Sequence, residues 1–432
     1  MANSRVRNPV SIVGAWITTI GALAFLTYLA LDWLGLFASP YAGLIGYVLA
    51  PAVFVFGLVL IPIGMWREAR RRRLGREPWS WPVIDLRTRR TRQVMGAVAA
   101  LTLVNLAIVS VAGLGVVHYT ESNSFCGQVC HEPMRPQFTA HAASPHANVN
   151  CVQCHVGPGA KGFVKAKMNG TRQLYEVIAG TYARPIPSPA RGLPMAAETC
   201  ARCHTSGHPA RDLVRVLHSY GDDEASTDTP TTLTMHLADI HWHAKADTRV
   251  EFVSVDGKRE TIPYVRMTDA RGAVTEYFAD GVTAPPAGDV RRMDCLDCHN
   301  RPAHTFSASA DRAVTAAMAA GQVDLTLPFA HRELVAAVSQ DYPTDAAAAA
   351  GIAERLQKAF VRRDAAVDGA IKTAQRLYSQ NVFRDMKVSW GTYQSMIGHT
   401  DAPGCFRCHD DSHKTRDGRA IRQDCALCHK MD

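Results

Sequence analysis

All twelve cysteines of this chain are spent in six pairs, and each pair is followed at once by a histidine. Five pairs share one spacing: Cys151-x-x-Cys154-His155, Cys200-x-x-Cys203-His204, Cys295-x-x-Cys298-His299, Cys405-x-x-Cys408-His409 and Cys425-x-x-Cys428-His429. The remaining pair, Cys126-x-x-x-Cys130-His131, is one residue longer. Cys-x-x-Cys-His is the attachment signature of c-type haem. Two thiols reach the two vinyl groups of one porphyrin while the next residue offers its imidazole to the iron. Structural zinc would need closed sets of four ligands, and a disulfide framework gives no reason for a histidine after every second cysteine. The sequence therefore predicts six covalently bound haem c groups, with His131, His155, His204, His299, His409 and His429 as motif ligands. Porphyrins at that density must fill much of the core of the domain that holds them.

Of 18 histidines, twelve lie outside the motifs, enough to give every iron a second ligand. Saturated irons transfer electrons rather than bind substrates. The candidates near motifs are His146 before the second, His304 after the fourth, His399 before the fifth and His413 after it. In His241-Trp242-His243 a strand would point both rings to one face. Crowding then leaves room for one ligand, with His243 the candidate and His241 open. His141, His208, His236 and His331 read as surface residues.

The formal charge of +8 is uneven: twelve arginines and four acids (Asp32, Glu68, Glu77, Asp85) precede Val94, leaving 35 residues of each sign after it. No basic nucleic-acid-binding face is implied. Three uncharged stretches, Val10 to Ala30, Ala42 to Trp66 and Val94 to Val117, each reach the roughly 20 apolar residues a helix needs to cross a bilayer. The linker around Ser39-Pro40-Tyr41 has no basic residue, whereas ten arginines lie between the second and third spans. The positive-inside rule puts that basic loop and the N-terminus in the cytoplasm and everything after Val117 outside. The expected location is a bacterial inner membrane with a periplasmic haem domain.

The order of spans and motifs resembles the NapC/NirT family of membrane-anchored multihaem c-type cytochromes. The likeness is strongest in SNSFCGQVCHEPMRPQFTAHAASPHANVNCVQCHVG, residues 122–157. CHNRPAHTF and IGHTDAPGCFRCHDDSHKTRDGRAIRQDCALCH resemble longer, more haem-rich relatives. The resemblance implies electron transfer from membrane quinol to periplasmic or outer-membrane cytochromes or a terminal reductase. By position, His146 looks like a distal haem ligand and Met134 like the methionine that can ligate the first haem. The family's small members place that methionine two residues after the motif histidine; here it stands three after. Met134, His131 and His118 thus stay open for the first haem. Small members also have one span and four haems, so this chain is an elaborated form.

Quinol oxidation requires a proton acceptor at the outer membrane face. Asp32 and His118, at the outer ends of the first and third spans, are the best-placed titratable candidates, with Glu121 further out. Anchoring at the interface is the plain alternative for both. Residues 159–182 read as an amphipathic helix along the membrane surface. Its Lys167 resembles the lysine near the family's quinol site, or contacts lipid headgroups.

Further on, Val250 to Val255 and Glu260 to Met267 read as a β-hairpin around Asp256-Gly257, with Pro263 marking an edge strand. Ser309 to Ala320, capped by the serine, and Asp345 to Tyr378 read as Ala-rich helices. The expected fold is a mainly α membrane anchor of three transmembrane helices plus a periplasmic multihaem cytochrome c domain, mostly α and loop with a small β-hairpin insertion. Its parts are residues 1–117, the anchor with basic loop 67–92; 118–205, haems one to three; 206–290, a haem-free insertion; and 291–432, haems four to six. Three function classes follow. One is a quinol dehydrogenase with its own quinol site, another a wire fed by a separate membrane b-type cytochrome, and the third, least favoured, a substrate-reducing multihaem enzyme.

Overall fold

The computed structural model describes residues 8–34, 45–73, 87–190, 192–204, 211–244, 247–361 and 363–431. The linker at Ser39-Pro40-Tyr41, residues 74–86 of the basic loop and His208 lie outside the described residues, as does the side chain of His131. The chain divides into two compact units, residues 1–130 and 131–432.

The first unit contains three helices long and apolar enough to cross a membrane. These are α1 (Pro9–Trp33), α2 (Ala50–Arg73), which continues a π-helical turn at Ile45–Leu49, and α3 (Arg89–Thr120). Helix α1 starts on an Asn8 cap, whose side chain accepts from the Ser11 amide, followed by Pro9 at the first helical position. With lipid on all sides, helices gain little from apolar burial and associate by close approach of small residues. A Cβ on Gly21 would stand 2.6 Å from the Phe54 nitrogen, and one on Gly57 would stand 2.5 Å from the Thr18 nitrogen. Those glycines let α1 and α2 touch along their length. Helix α3 instead turns Leu101, Leu103 and Leu114 outward, surface that only lipid or another apolar partner can cover.

The second unit mixes short helices, two small sheets and one helical core. Helices α4 (His131–Ala142) and α5 (Gly159–Ile178) come first. Strands β1 (Leu213–Leu217) and β2 (Thr231–Met235) pair antiparallel, and β2 also pairs with β7 (His429–Met431) at the end of the chain. Strands β3 (Arg249–Val253), β4 (Tyr264–Thr268), β5 (Val274–Phe278) and β6 (Arg291–Arg292) form a second sheet in the order β5-β4-β3-β6. The expected hairpin is its β3–β4 pair. Pro263 does not mark an edge, because it stands just before β4, which is hydrogen-bonded on both sides.

The helical core comprises α6 (Ala310–Ala319), α7 (Ala330–Val338), α8 (Asp345–Ala359) and α9 (Ala365–Asn381). Ser309, Thr344 and Asp364 cap three of them through side-chain oxygens that accept from backbone N–H groups. Val314, Leu334, Ile352 and Leu356 are fully buried, and alanines on facing turns let the helices pack closely. This cluster has its own apolar core and holds no haem motif. Truncating Leu334 to Ala is expected to cost about 2–5 kcal/mol. Urea unfolding followed by circular dichroism would register the loss, while haem absorption before the transition stays unchanged.

Candidate functional site

Each of the five regular motifs is wound into a short helical turn. The turns are α-helical at Cys151–His155 and Cys295–Cys298 and tighter at Cys200–Arg202, Gly404–Arg407 and Cys425–Leu427. On such a turn residues i and i+3 share a side, so both thiols of a pair can reach one porphyrin. The longer first motif begins on a π-helical turn, Phe125–Val129. A π turn takes in one more residue than an α turn, and that wider winding accommodates the extra residue between Cys126 and Cys130. None of the twelve cysteines is joined to another in a disulfide.

Residues inside the motifs also dock one motif on another. Asp297, between Cys295 and Cys298, is buried and accepts from Arg259 at 3.0 Å and Arg291 at 2.7 Å. Arg407, between Cys405 and Cys408, donates to the carbonyls of Gly404, Arg259 and Asp297 at 2.7, 2.9 and 2.6 Å. Two variable positions of the signature thus fasten the fourth and fifth motifs together.

Five motif histidines each face one histidine from outside the motifs. Ring centroids lie 6.2 Å apart for His155 and His304, 5.9 Å for His204 and His146, and 6.3 Å for His299 and His241. They lie 5.9 Å apart for His409 and His243 and 6.3 Å for His429 and His399. Two metal–nitrogen bonds of about 2 Å, with the radius of each ring added, put imidazole centroids about 6 Å apart. The pairs therefore fit an iron between them.

Hydrogen bonding supports the same fit. The Nδ1 atoms of His146, His243 and His304 bond the carbonyls of Pro302, Ile240 and Gln137 at 2.9, 2.9 and 3.1 Å. His409 does the same with the Arg422 carbonyl at 3.0 Å. A carbonyl only accepts, so Nδ1 carries the proton and Nε2 is left with the lone pair a metal needs. Burial lowers the pKa of His155, His243 and His299, and takes that of His304 down to about 4. These rings stay neutral at ordinary pH, the form that binds metal.

Other sequence candidates are placed differently. Both ring nitrogens of His413 are engaged, with the Asp410 carboxylate at 2.8 Å and the Ile262 carbonyl at 2.6 Å, so neither is left for iron. Expected surface residues His141 and His331 are buried. His141 bonds the Val149 carbonyl, and His331 lies between Asp222 at 3.0 Å and Asp311 at 3.2 Å. Residues 241–244 form a tight helical turn rather than a strand, so His241 and His243 face different motifs instead of competing for one. Met134 lies half-buried in α4.

The motifs also neighbour one another in a definite order. Burial, then the thiols of Cys200, Cys151 and Cys203, push the Cys154 thiol up. Burial and then Cys200 do so for Cys295, and burial and then Cys405 do so for Cys428. Burial, with Cys405 next, pushes Cys298 up to about 11. The electrostatic neighbours thus run second, third, fourth, fifth and sixth motif.

In the first unit, the Tyr47 hydroxyl donates to Asp32 at 2.7 Å, and Tyr28 approaches the other carboxylate oxygen at 3.5 Å. His118 is exposed in the last turn of α3 and makes neither contact. In the second unit, the Lys167 ammonium lies over the Phe163 ring, 5.0 Å from its centre.

Residues 88–238 match the family model described as NapC/NirT cytochrome c family, N-terminal region. The chain is 35% identical to the cytochrome c-type protein ImcH of Geobacter sulfurreducens, over 98% of this chain and 88% of that protein. No solved structure matches the chain.

The pairing predicts that His241→Ala and His243→Ala each convert one low-spin haem to high spin, and that the double variant converts two. Electron paramagnetic resonance of the oxidised protein counts them. His413→Ala should leave every spin state unchanged and lower only thermal stability.

Proposed function

The chain belongs to the NapC/NirT family of membrane-anchored c-type cytochromes, and from that premise we propose that it carries electrons from membrane quinol, through six covalently bound haems, to periplasmic redox partners. The observation that carries this reading is the set of five facing imidazole pairs. An iron held between two imidazoles has no open position, so it passes electrons on and does not bind a substrate. This argues against the substrate-reducing class. The direct link between the fourth and fifth motifs through Arg407 and the Asp297 carbonyl supports haems held close enough to act as a wire. Haem c supplies the one-electron chemistry, and the chain's own residues orient and bury it.

Orientation follows from the ten arginines between α2 and α3, which favour a cytoplasmic loop and a periplasmic second unit. Haem propionates make a neutral outer polypeptide acidic, so an electron acceptor with a basic rim fits it. Helix α5 exposes Met168, Tyr175 and Ile178 beside Lys161, Lys165 and Lys167. That is the composition of a helix lying at the headgroup boundary.

A second reading rests on α3, whose outward leucines suit a helix of another membrane subunit. The chain would then be a wire fed by a b-type cytochrome. Stopped-flow mixing of the purified chain with a menaquinol analogue separates the two. Rapid, inhibitor-sensitive reduction of haem in the α-band is the expected result; haems that stay oxidised until a membrane partner is added would favour the wire.

A further inference from the structure

Four aromatic rings and one carboxylate gather at the end of the helical anchor from which the chain runs on to its first motif. Tyr28 meets Tyr47 edge-on at 5.1 Å, and Tyr47 stacks on Tyr119 at 5.7 Å. Tyr119 meets Phe125 at 5.4 Å, and Phe125 is bonded directly to Cys126. The arrangement is built for these rings. A Cβ on Gly46 would stand 2.1 Å from the Tyr28 ring, and one on Gly115 would stand 2.9 Å from that of Tyr47. Asp32 closes the cluster by accepting from Tyr47 at 2.7 Å.

Next to this polar end lies an apolar cleft between α2 and α3 of about 370 Å³, lined among others by Val48, Phe54, Val109, Ala112, Gly113 and Val116. It is open on one side, where a membrane would supply lipid. Val48 adjoins Tyr47 in the chain, and Ala112 packs in one cluster with Phe25 and Tyr47. The cleft thus lies beside the tyrosine–carboxylate pair. A ligand suited to both needs a hydrogen-bonding head and an apolar tail.

We propose that Asp32, Tyr47 and the α2–α3 cleft form the quinol site, with Tyr47 and Asp32 on the head group and the isoprenoid tail in the cleft. The inference rests on the quinol reading above and deepens it. It places the head-group residues on α1 and on the turn that opens α2, elements that the family's single-span members lack, and the tail between α2 and α3. Asp32 accepts the two hydroxyl protons in turn and releases each to water at that end of the helices. The two electrons leave singly and reduce two ferric haems of this chain to ferrous, so the quinol becomes quinone. Tyr119 and Phe125 lie as an aromatic bridge between the head group and Cys126.

The test is binding of a fluorescent hydroxyquinoline N-oxide, a quinol analogue, to the purified full chain with its haems in place. Asp32→Asn and Tyr47→Phe should each weaken binding about tenfold, equivalent to about 1.4 kcal/mol, with the dithionite-reduced spectrum unchanged. A Cβ on Gly113 meets nothing within 4 Å, so Gly113→Leu fills the cleft without moving backbone and should weaken binding too. Analogue binding as tight in all three variants as in the unaltered chain overturns the proposal. An effect confined to Gly113→Leu overturns the head-group assignment. Should Asp32→Asn fail to insert, Tyr47→Phe, which keeps the ring packing, decides. If the unaltered chain is not reduced by quinol, the broader reading fails instead.

Discussion

An iron held by two imidazoles would cross-link whatever segments supply them, and the second unit brings five pairs of histidines face to face at the spacing such an iron needs. They join His155 to His304, His146 to His204, His241 to His299, His243 to His409, and His399 to His429. Each spans a long stretch of chain, so each closes a loop whose entropy would otherwise oppose folding. Outside the helical core of α6 to α9, apolar clusters are small: Phe252 and Val265 anchor one, Phe383 and Met386 another. Regular secondary structure is correspondingly short where the motifs lie. Porphyrins bound as proposed between the paired rings would bury apolar surface without extensive helices and sheets.

The pairs also share segments. His146 stands five residues before the second motif but faces the histidine of the third; His304 stands five after the fourth motif's histidine but faces that of the second. His241 and His243 face the fourth and fifth from one turn, and His399, just before the fifth motif, faces the sixth. If those rings ligate haem as proposed, one short segment would hold two haems at a fixed separation. Tunnelling needs that constancy more than it needs any particular fold, and it explains why crossed pairing is useful as well as possible.

The helical turns at the regular motifs were legible in the sequence because their spacing is local: two cysteines and a histidine within about one turn. The membrane helices were legible because an uncharged run of the required length is what a bilayer-crossing helix needs; the first and third extend beyond the expected bounds at both ends, whereas the second begins later than expected and runs on through the arginines to Arg73. The hairpin at β3 and β4 was visible from its alternation and turn. What sequence proximity could not reveal was which histidine faces which motif, since that is decided by how the segments cross. His413, beside a motif, is tied up by Asp410 and Ile262. His241 and His243, expected to compete for one place, each face a separate motif because the backbone there curls instead of extending. The Tyr47–Asp32 contact escaped notice for a related reason: a tyrosine in an apolar run reads as an interfacial anchor until the neighbouring helix brings a carboxylate to it.

Burial varies along the succession of motifs in a way that matters for a wire. Cys408 in the fifth motif is buried, whereas Cys203 in the third, Cys295 in the fourth and Cys425 in the sixth are exposed. A haem in an apolar environment resists the net charge of oxidation and has its potential shifted accordingly, while one near solvent is tuned less and reached more easily. With haems bound as proposed, the third, fourth and sixth motifs would each offer an edge that a partner can approach, and the fifth would be sheltered between them. The sixth motif's histidine opens β7, which pairs with β2, and β2 in turn pairs with the fully exposed strand β1. The last site is fixed to a rigid sheet although its thiol is open to solvent, so accessibility there is gained without loss of position.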